Sequence, residues 1–282
     1  PKNPIFLEQK LRLCKKNREW ELAIATLTEL TQMSSKKKTA NMKELVDLSL
    51  RADQKEKAFE WIAEWKKASV SSTSPYIHEA AIYRDDLSYL KAAEVLKKAM
   101  YKFPDNQTLP RLLAQDYNFA GKYTEATNIY WRLIGKTEDL SEKLGLMRSI
   151  IQLAQQEDGI EELAQKLQGR MKHNPKSVFP PLALAELSRH SGSYENRRKY
   201  LIKATELKSN DLNLLAEISR IEEEEGQYDR ALDTLKKLKA LDKSKKFANL
   251  LPQFFMRSGE EDRAFEHIIE NSGGINMPVD DV

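Results

Sequence analysis

Apolar and small residues recur along this chain with a period far longer than one helical turn. Gly121-Lys122-Tyr123-Thr124-Glu125-Ala126 and Gly226-Gln227-Tyr228-Asp229-Arg230-Ala231 both read G-x-Y-x-x-A, and Gly192-Ser193-Tyr194 repeats the first half. With that glycine at position 15 of a unit, units begin at residues 4, 39, 73, 107, 144, 178, 212 and 245. The successive differences are 35, 34, 34, 37, 34, 34 and 33. Position 20 reads Ala23, Ala58, Ala92, Ala126, Leu163, Arg197, Ala231 and Ala264. Position 24 is apolar throughout: Leu27, Ile62, Leu96, Tyr130, Leu167, Leu201, Leu235 and Ile268. Position 17 is aromatic at Trp20, Tyr89, Tyr123, Tyr194 and Tyr228, and Pro104 and Pro175 fall at position 32.

This pattern predicts a helical hairpin in each unit. A helix pair carries an apolar stripe too wide to bury alone, so it packs onto the next pair. A small residue at position 20 lets two helix backbones approach, and the residues at 17 and 24 fill the space between pairs. The turn glycine supplies the left-handed conformation that ends the first helix, and proline after the second stops it. The expectation is sixteen antiparallel helices, no sheet, and Tyr123, Ala126, Tyr130, Tyr228 and Ala231 largely buried.

The G-x-Y-x-x-A turn, its near-constant period and the position-20 alanines resemble the tetratricopeptide repeat, a helix–turn–helix unit of about 34 residues. The resemblance implies an all-α solenoid, a right-handed superhelix of about eight repeats over residues 1–271, with 272–282 a flexible tail. Departures are visible. Arg18 and Asp53 replace the glycine in the first two units, and the unit at 144 has Asp158-Gly159-Ile160. Arg197 stands where alanine is usual, and Arg170 takes another normally apolar position, which suggests looser packing or a salt-bridged seam. The longest spacing adds three residues around Thr137-Glu138-Asp139-Leu140-Ser141. Pro252, inside the last first helix, is expected to kink or shorten it.

In this family the first helices line the concave face through positions 2, 5, 9 and 12. The resemblance therefore implies a peptide-binding groove at Arg84, Arg111, Gln115, Asn118, Arg148, Gln152, Gln155 and Arg189. Residues three or four apart share a helix face, so Arg111, Gln115 and Asn118 form one strip and Arg148, Gln152 and Gln155 another. Their arginines are expected to be exposed, inward-facing and uncommitted to internal ion pairs, ready to take carboxylates bidentately. Asp47, Glu186, Arg220 and Glu223 make the field mixed in sign. The family's clamp for chaperone tails, Lys/Asn/Asn/Lys/Arg, is replaced by Ile77, Ala81, Leu112, Gly145 and Ser149, which disfavours that subtype.

Catalytic chemistry finds no support in the sequence. His78, His173, His190 and His267 pair with no Cys, His or carboxylate at metal-ligand spacing, and there is no phosphate loop, G-x-S-x-G elbow or C-x-x-C. Glu222 to Glu225 read as a solvated helix end, and pairs such as Glu161-Glu162 lack a pocket to tune them. The expectation is a protein-binding scaffold that is not an enzyme, with no cofactor and no metal. The alternatives are an RNA-binding helical-repeat protein and a regulatory tetratricopeptide domain of a larger enzyme.

Composition narrows this only a little. The 282 residues are 32% charged with net charge +3, too small to draw the molecule to nucleic acid. Nine Lys/Arg against four Glu lie in the first 38 residues, with Lys36, Lys37 and Lys38 expected in a solvated loop. Cys14 is the only cysteine, read as a packed thiol. No apolar run is long enough to cross a bilayer. Residues 1–12 do not read as a secretory signal. The cytoplasm is weakly favoured, and oligomeric state is left open. A last helix from about Glu260 to Asn271, with no capping helix after it, reads as a piece of a larger protein.

Overall fold

A computed structural model describes residues 3–33, 38–208 and 211–272. Lys36, Lys37 and the tail from 273 onward lie outside the described residues, while Lys38 opens a helix and Ser272 closes one.

Among the described residues the chain is all-α, with sixteen helices and no strand. The first helices of successive hairpins are α1 (Pro4–Asn17), α3 (Lys38–Arg51), α5 (Ser74–Asp85), α7 (Thr108–Phe119), α9 (Leu140–Gln156), α11 (Phe179–His190), α13 (Leu212–Glu224) and α15 (Leu250–Ser258). Their partners are α2 (Trp20–Met33), α4 (Lys55–Ala68), α6 (Tyr89–Lys102), α8 (Tyr123–Lys136), α10 (Ile160–His173), α12 (Tyr194–Leu207), α14 (Tyr228–Leu241) and α16 (Glu261–Ser272). The residues divide into two compact units, Pro1–Arg132 and Leu133–Val282, the division falling within α8.

In the first unit α1 to α7 pack each on the next. Leu7, Leu11, Cys14, Ala23 and Leu27 form one core with Leu45 and Leu48, and Met42, Val46, Ala58, Ile62, Trp65 and Ile82 form the next. Cys14 is buried there as a free thiol. In the second unit Leu182, Ala185, Leu201, Ala204, Ile218 and Ile221 make one core, and Ala231, Leu235, Leu251, Phe254, Phe255 and Ala264 another.

One turn closes all eight hairpins. Position 15 is left-handed in every unit: Arg18, Asp53, Leu87, Gly121, Asp158, Gly192, Gly226 and Gly259 have φ between 53° and 78°. In each, the next residue's N–H donates to the carbonyl five residues back, as in Glu19 to Cys14 (2.9 Å), Lys122 to Tyr117 (2.7 Å) and Glu260 to Phe255 (2.9 Å). That bond satisfies a carbonyl the ending helix would leave bare. The turn thus survives in the four units without glycine, at a steric cost of about 1–2 kcal/mol for each non-glycine residue.

The six position-20 alanines are fully buried. At the arginine joint, Arg197 is itself buried and ion-paired to Glu217, so this seam is salt-bridged. The extra residues of the fifth unit add an N-terminal turn, making α9 17 residues long, and Asp139 caps it by accepting from the N–H groups of Ser141 (2.7 Å) and Glu142 (3.2 Å). Pro252 shortens its helix without kinking it. It is the third residue of α15, where the missing N–H had no helical acceptor, and α15 has 9 residues.

One expectation about burial needs correction. Tyr228 is 56% exposed, whereas Tyr123 is mostly covered and Tyr130, Ala126 and Ala231 are buried. Position 17 is the first residue of its helix, so its ring packs on one side only. The Tyr228 ring lies 6.4 Å from that of Phe254 and is otherwise left uncovered where α15 starts late.

Candidate peptide-binding surfaces

Two arginines picked out by the repeat register, Arg84 and Arg148, are spent on ion pairs between successive first helices, and Arg189 on a pair within its own helix. In the first unit Arg84 of α5 forks onto Asp116 of α7, Nε to Oδ1 at 2.5 Å and Nη2 to Oδ2 at 3.1 Å. Asp116 is fully buried. Burial pushes its carboxyl above the usual aspartate range, against the opposing pull of the Arg84 fork. Arg111 is half-buried and engaged, whereas Gln115 is exposed and Asn118 half-buried.

In the second unit Arg148 of α9 donates to Glu186 of α11 at 2.8 Å, and Arg189 donates to the same oxygen at 2.6 Å. Burial alone would raise the Glu186 carboxyl, but the hydrogen bonds from Arg189 and Arg148 outweigh it and hold it below the usual glutamate range. The expectation of an uncommitted arginine therefore fails at Arg148, and Arg84 and Arg189, named for the same groove, are ion-paired as well. The pairs join different register positions, 12 to 10 for Arg84 and Asp116 and 5 to 9 for Arg148 and Glu186. Arg111, Gln115 and Asn118 lie in one unit and Arg148, Gln152 and Gln155 in the other, each strip on its own helix. The four amides remain. Among the described residues the side chains of Gln115, Asn118, Gln152 and Gln155 make no hydrogen bond, and both glutamines of α9 are exposed.

The N-terminal half of α11's inner face is closed, while Arg189 at position 12 is exposed. Phe179 and Leu182, at positions 2 and 5, are buried, and nine residues of this 12-residue helix are buried in all. The cause is α9, which packs on α11 and sends Leu140, from its extra turn, and Leu144 against the Leu182 core. Only the contribution of Leu140 comes with the inserted residues.

The next first helix is open. Between α13 and α15 lies a cavity of about 720 Å³, and Asn213, Ala216, Arg220 and Glu223 of α13, at positions 2, 5, 9 and 12, all line it. Tyr228, Leu235, Phe247 and Leu250 supply an apolar wall. Arg220 bonds Glu217 (3.0 Å) and Glu224, while Arg257 forks onto Glu223, with Nη2 to Oε2 at 2.8 Å. The Glu223 bond holds Arg257 above the usual arginine range. Sequence reasoning noted Arg220 and Glu223 but missed the cavity. Its signal was Pro252, which forecast the short α15 that leaves Tyr228 uncovered.

No protein-family model matches the chain. No curated protein matches it. Similar solved structures include a tetratricopeptide repeat protein from Parabacteroides merdae ATCC 43184, 17% identical, covering 86% of this chain and 95% of that one, with TM-score 0.39. Yeast Tom70 is 15% identical, covering 91% of this chain and 57% of that one, with TM-score 0.46. YrrB, described as a TPR protein with an unusual peptide-binding site, is 14% identical, covering 64% of this chain and 91% of that one, with TM-score 0.33.

Proposed function

We propose that this chain of tetratricopeptide-like hairpins is a non-enzymatic protein-interaction scaffold that holds extended segments of a protein partner against its first helices. The observation that carries the reading is the set of amides at recurring register positions. Gln115 and Asn118 sit one helical turn apart on α7, as do Gln152 and Gln155 on α9, and their side chains are not used internally. A carboxamide both donates and accepts, as a peptide backbone does, so amides at helical spacing suit an extended chain. Arg148, fixed by Glu186, serves as a wall and not as a primary contact.

The test compares the chain with its Gln115→Ala, Gln152→Ala, Gln155→Ala triple variant in capture from native lysate with and without nuclease treatment. The variant is expected to keep its melting temperature and lose the captured proteins. Capture that survives the triple change overturns the amide reading, and capture abolished by nuclease alone transfers the function to nucleic acid.

A further inference from the structure

The cavity between α13 and α15 continues into a second one of about 510 Å³, which shares Asn213 and Phe247 with it and adds Lys246. Charge is distributed unevenly along this trough. Glu217 and Glu224 are held by Arg220, Glu223 by Arg257, and Asp211 by Lys208 at 2.6 Å. The arginine forks are thereby used up and the carboxylates neutralised, so the wall has little pull on a cation. The amides at the start of α13 are also taken, since Asp211 accepts from the N–H groups of Asn213 (3.0 Å) and Leu214 (3.3 Å).

Lys246 is different. Its ammonium donates to the neutral Asn213 Oδ1 at 3.1 Å and lies 4.8 Å from the centre of the Phe247 ring. Among the described residues no carboxylate comes within ion-pairing distance of it. The trough therefore has a cation lacking a counter-charge at one end. Towards the other stands an apolar wall that includes Tyr228, more than half exposed, and Leu250.

We infer that this trough binds an extended peptide carrying an acidic side chain close to an aromatic one, the carboxylate at Lys246 and the ring against Tyr228, Phe247 and Leu250. The inference rests on the scaffold reading above, to which it adds a location and a peptide chemistry. In an extended chain residues two apart face the same side, so a Glu-x-Phe segment presents both groups to one wall. Asn213 and Gln253 remain beside the backbone of such a segment.

The probe is a fluorescein-labelled octapeptide with acetylated and amidated ends, holding Glu-Gly-Phe in a glycine-serine background. Its anisotropy is followed on titration with the full chain. Glutamine for its glutamate is expected to weaken binding about two- to fivefold, the scale of a surface ion pair. Alanine for its phenylalanine is expected to weaken it about tenfold or more. In the protein, Lys246→Glu should shift preference to a lysine-bearing peptide at unchanged melting temperature, and Tyr228→Ala, which also loses the contact with Phe254, should weaken the phenylalanine peptide alone. Equal binding of all the peptides, no binding at millimolar concentration, or indifference to Lys246→Glu overturns the trough. Binding that ignores Lys246→Glu but disappears in the triple amide variant overturns the trough while leaving the scaffold reading standing. Trough binding together with partner capture that survives the triple change overturns the amide surfaces alone.

Discussion

Arg84 on α5 grips Asp116 on α7 through two hydrogen bonds, and the carboxylate it grips is sealed from solvent. An arginine at position 12 of one hairpin is thus consumed by an aspartate at position 10 of the next. Truncation of Arg84 to alanine leaves a buried charge unpaired and is expected to destabilise the protein by about 3–5 kcal/mol. The double change Arg84→Met, Asp116→Leu removes both charges and should recover most of that loss. Chemical denaturation of the three proteins measures it, and a single variant as stable as the parent would refute a structural role for the pair.

Glu186, held by Arg148 and Arg189, has its folded-state pKa lowered. A carboxyl with a depressed folded pKa adds stability above its unfolded value, about 4.3, and loses that stability as pH falls through the folded value. The melting-temperature gap between the parent and Glu186→Gln should therefore be widest near neutrality. It should close as the solution is taken below about pH 4. A gap that stays constant between neutral and acid pH would show that the two arginines contribute nothing through charge.

Leu87 occupies the left-handed turn position with φ 57°, and its side chain is 73% exposed. Its replacement by glycine relieves backbone strain without removing a packed side chain, and should stabilise by up to about 1 kcal/mol. The mirror change, Gly121→Ala, should cost about the same, because φ is 71° and a Cβ there meets no atom within 4 Å. Melting temperatures that move the same way in both variants would contradict the turn argument.

Ala126 is wholly buried at the start of α8. Leucine there must push two helices apart and is expected to cost about 1–3 kcal/mol. A thermal melt identical to the parent's would mean that the register assigned to this hairpin is wrong.

The fold was legible because the packing signal is local and repeated. Alanine at position 20 and an aliphatic residue at position 24 recur where each helix must meet the next. Helix starts at 4, 38, 74, 108, 140, 179, 212 and 250 lie within a few residues of the expected units. The first two turns were readable despite Arg18 and Asp53, because the surrounding stripe fixes the helices that the turn must join. The candidate site was less legible. Position alone shows which face Arg148 occupies, but whether that arginine is available depends on Glu186, 38 residues away. Likewise the exposure of Tyr228 is decided by where α15 begins, a matter of tertiary context that the tyrosine's own neighbours do not encode.

The enclosure of α11 alters how the second unit comes apart. In a linear repeat array each hairpin touches only its neighbours, so opening can run inward from an end one hairpin at a time. Here α11 contacts α9, α10 and α12, and shares its core with Ile218 and Ile221 of α13. Fraying that begins at α16 would reach in α11 a helix with nine of its 12 residues buried, held by α9 and α10 after α13 has left. The backbone amides of α11 would then exchange with solvent only when most of the unit opens at once. Their exchange would report how firmly α11 is clasped between the hairpins on either side of it.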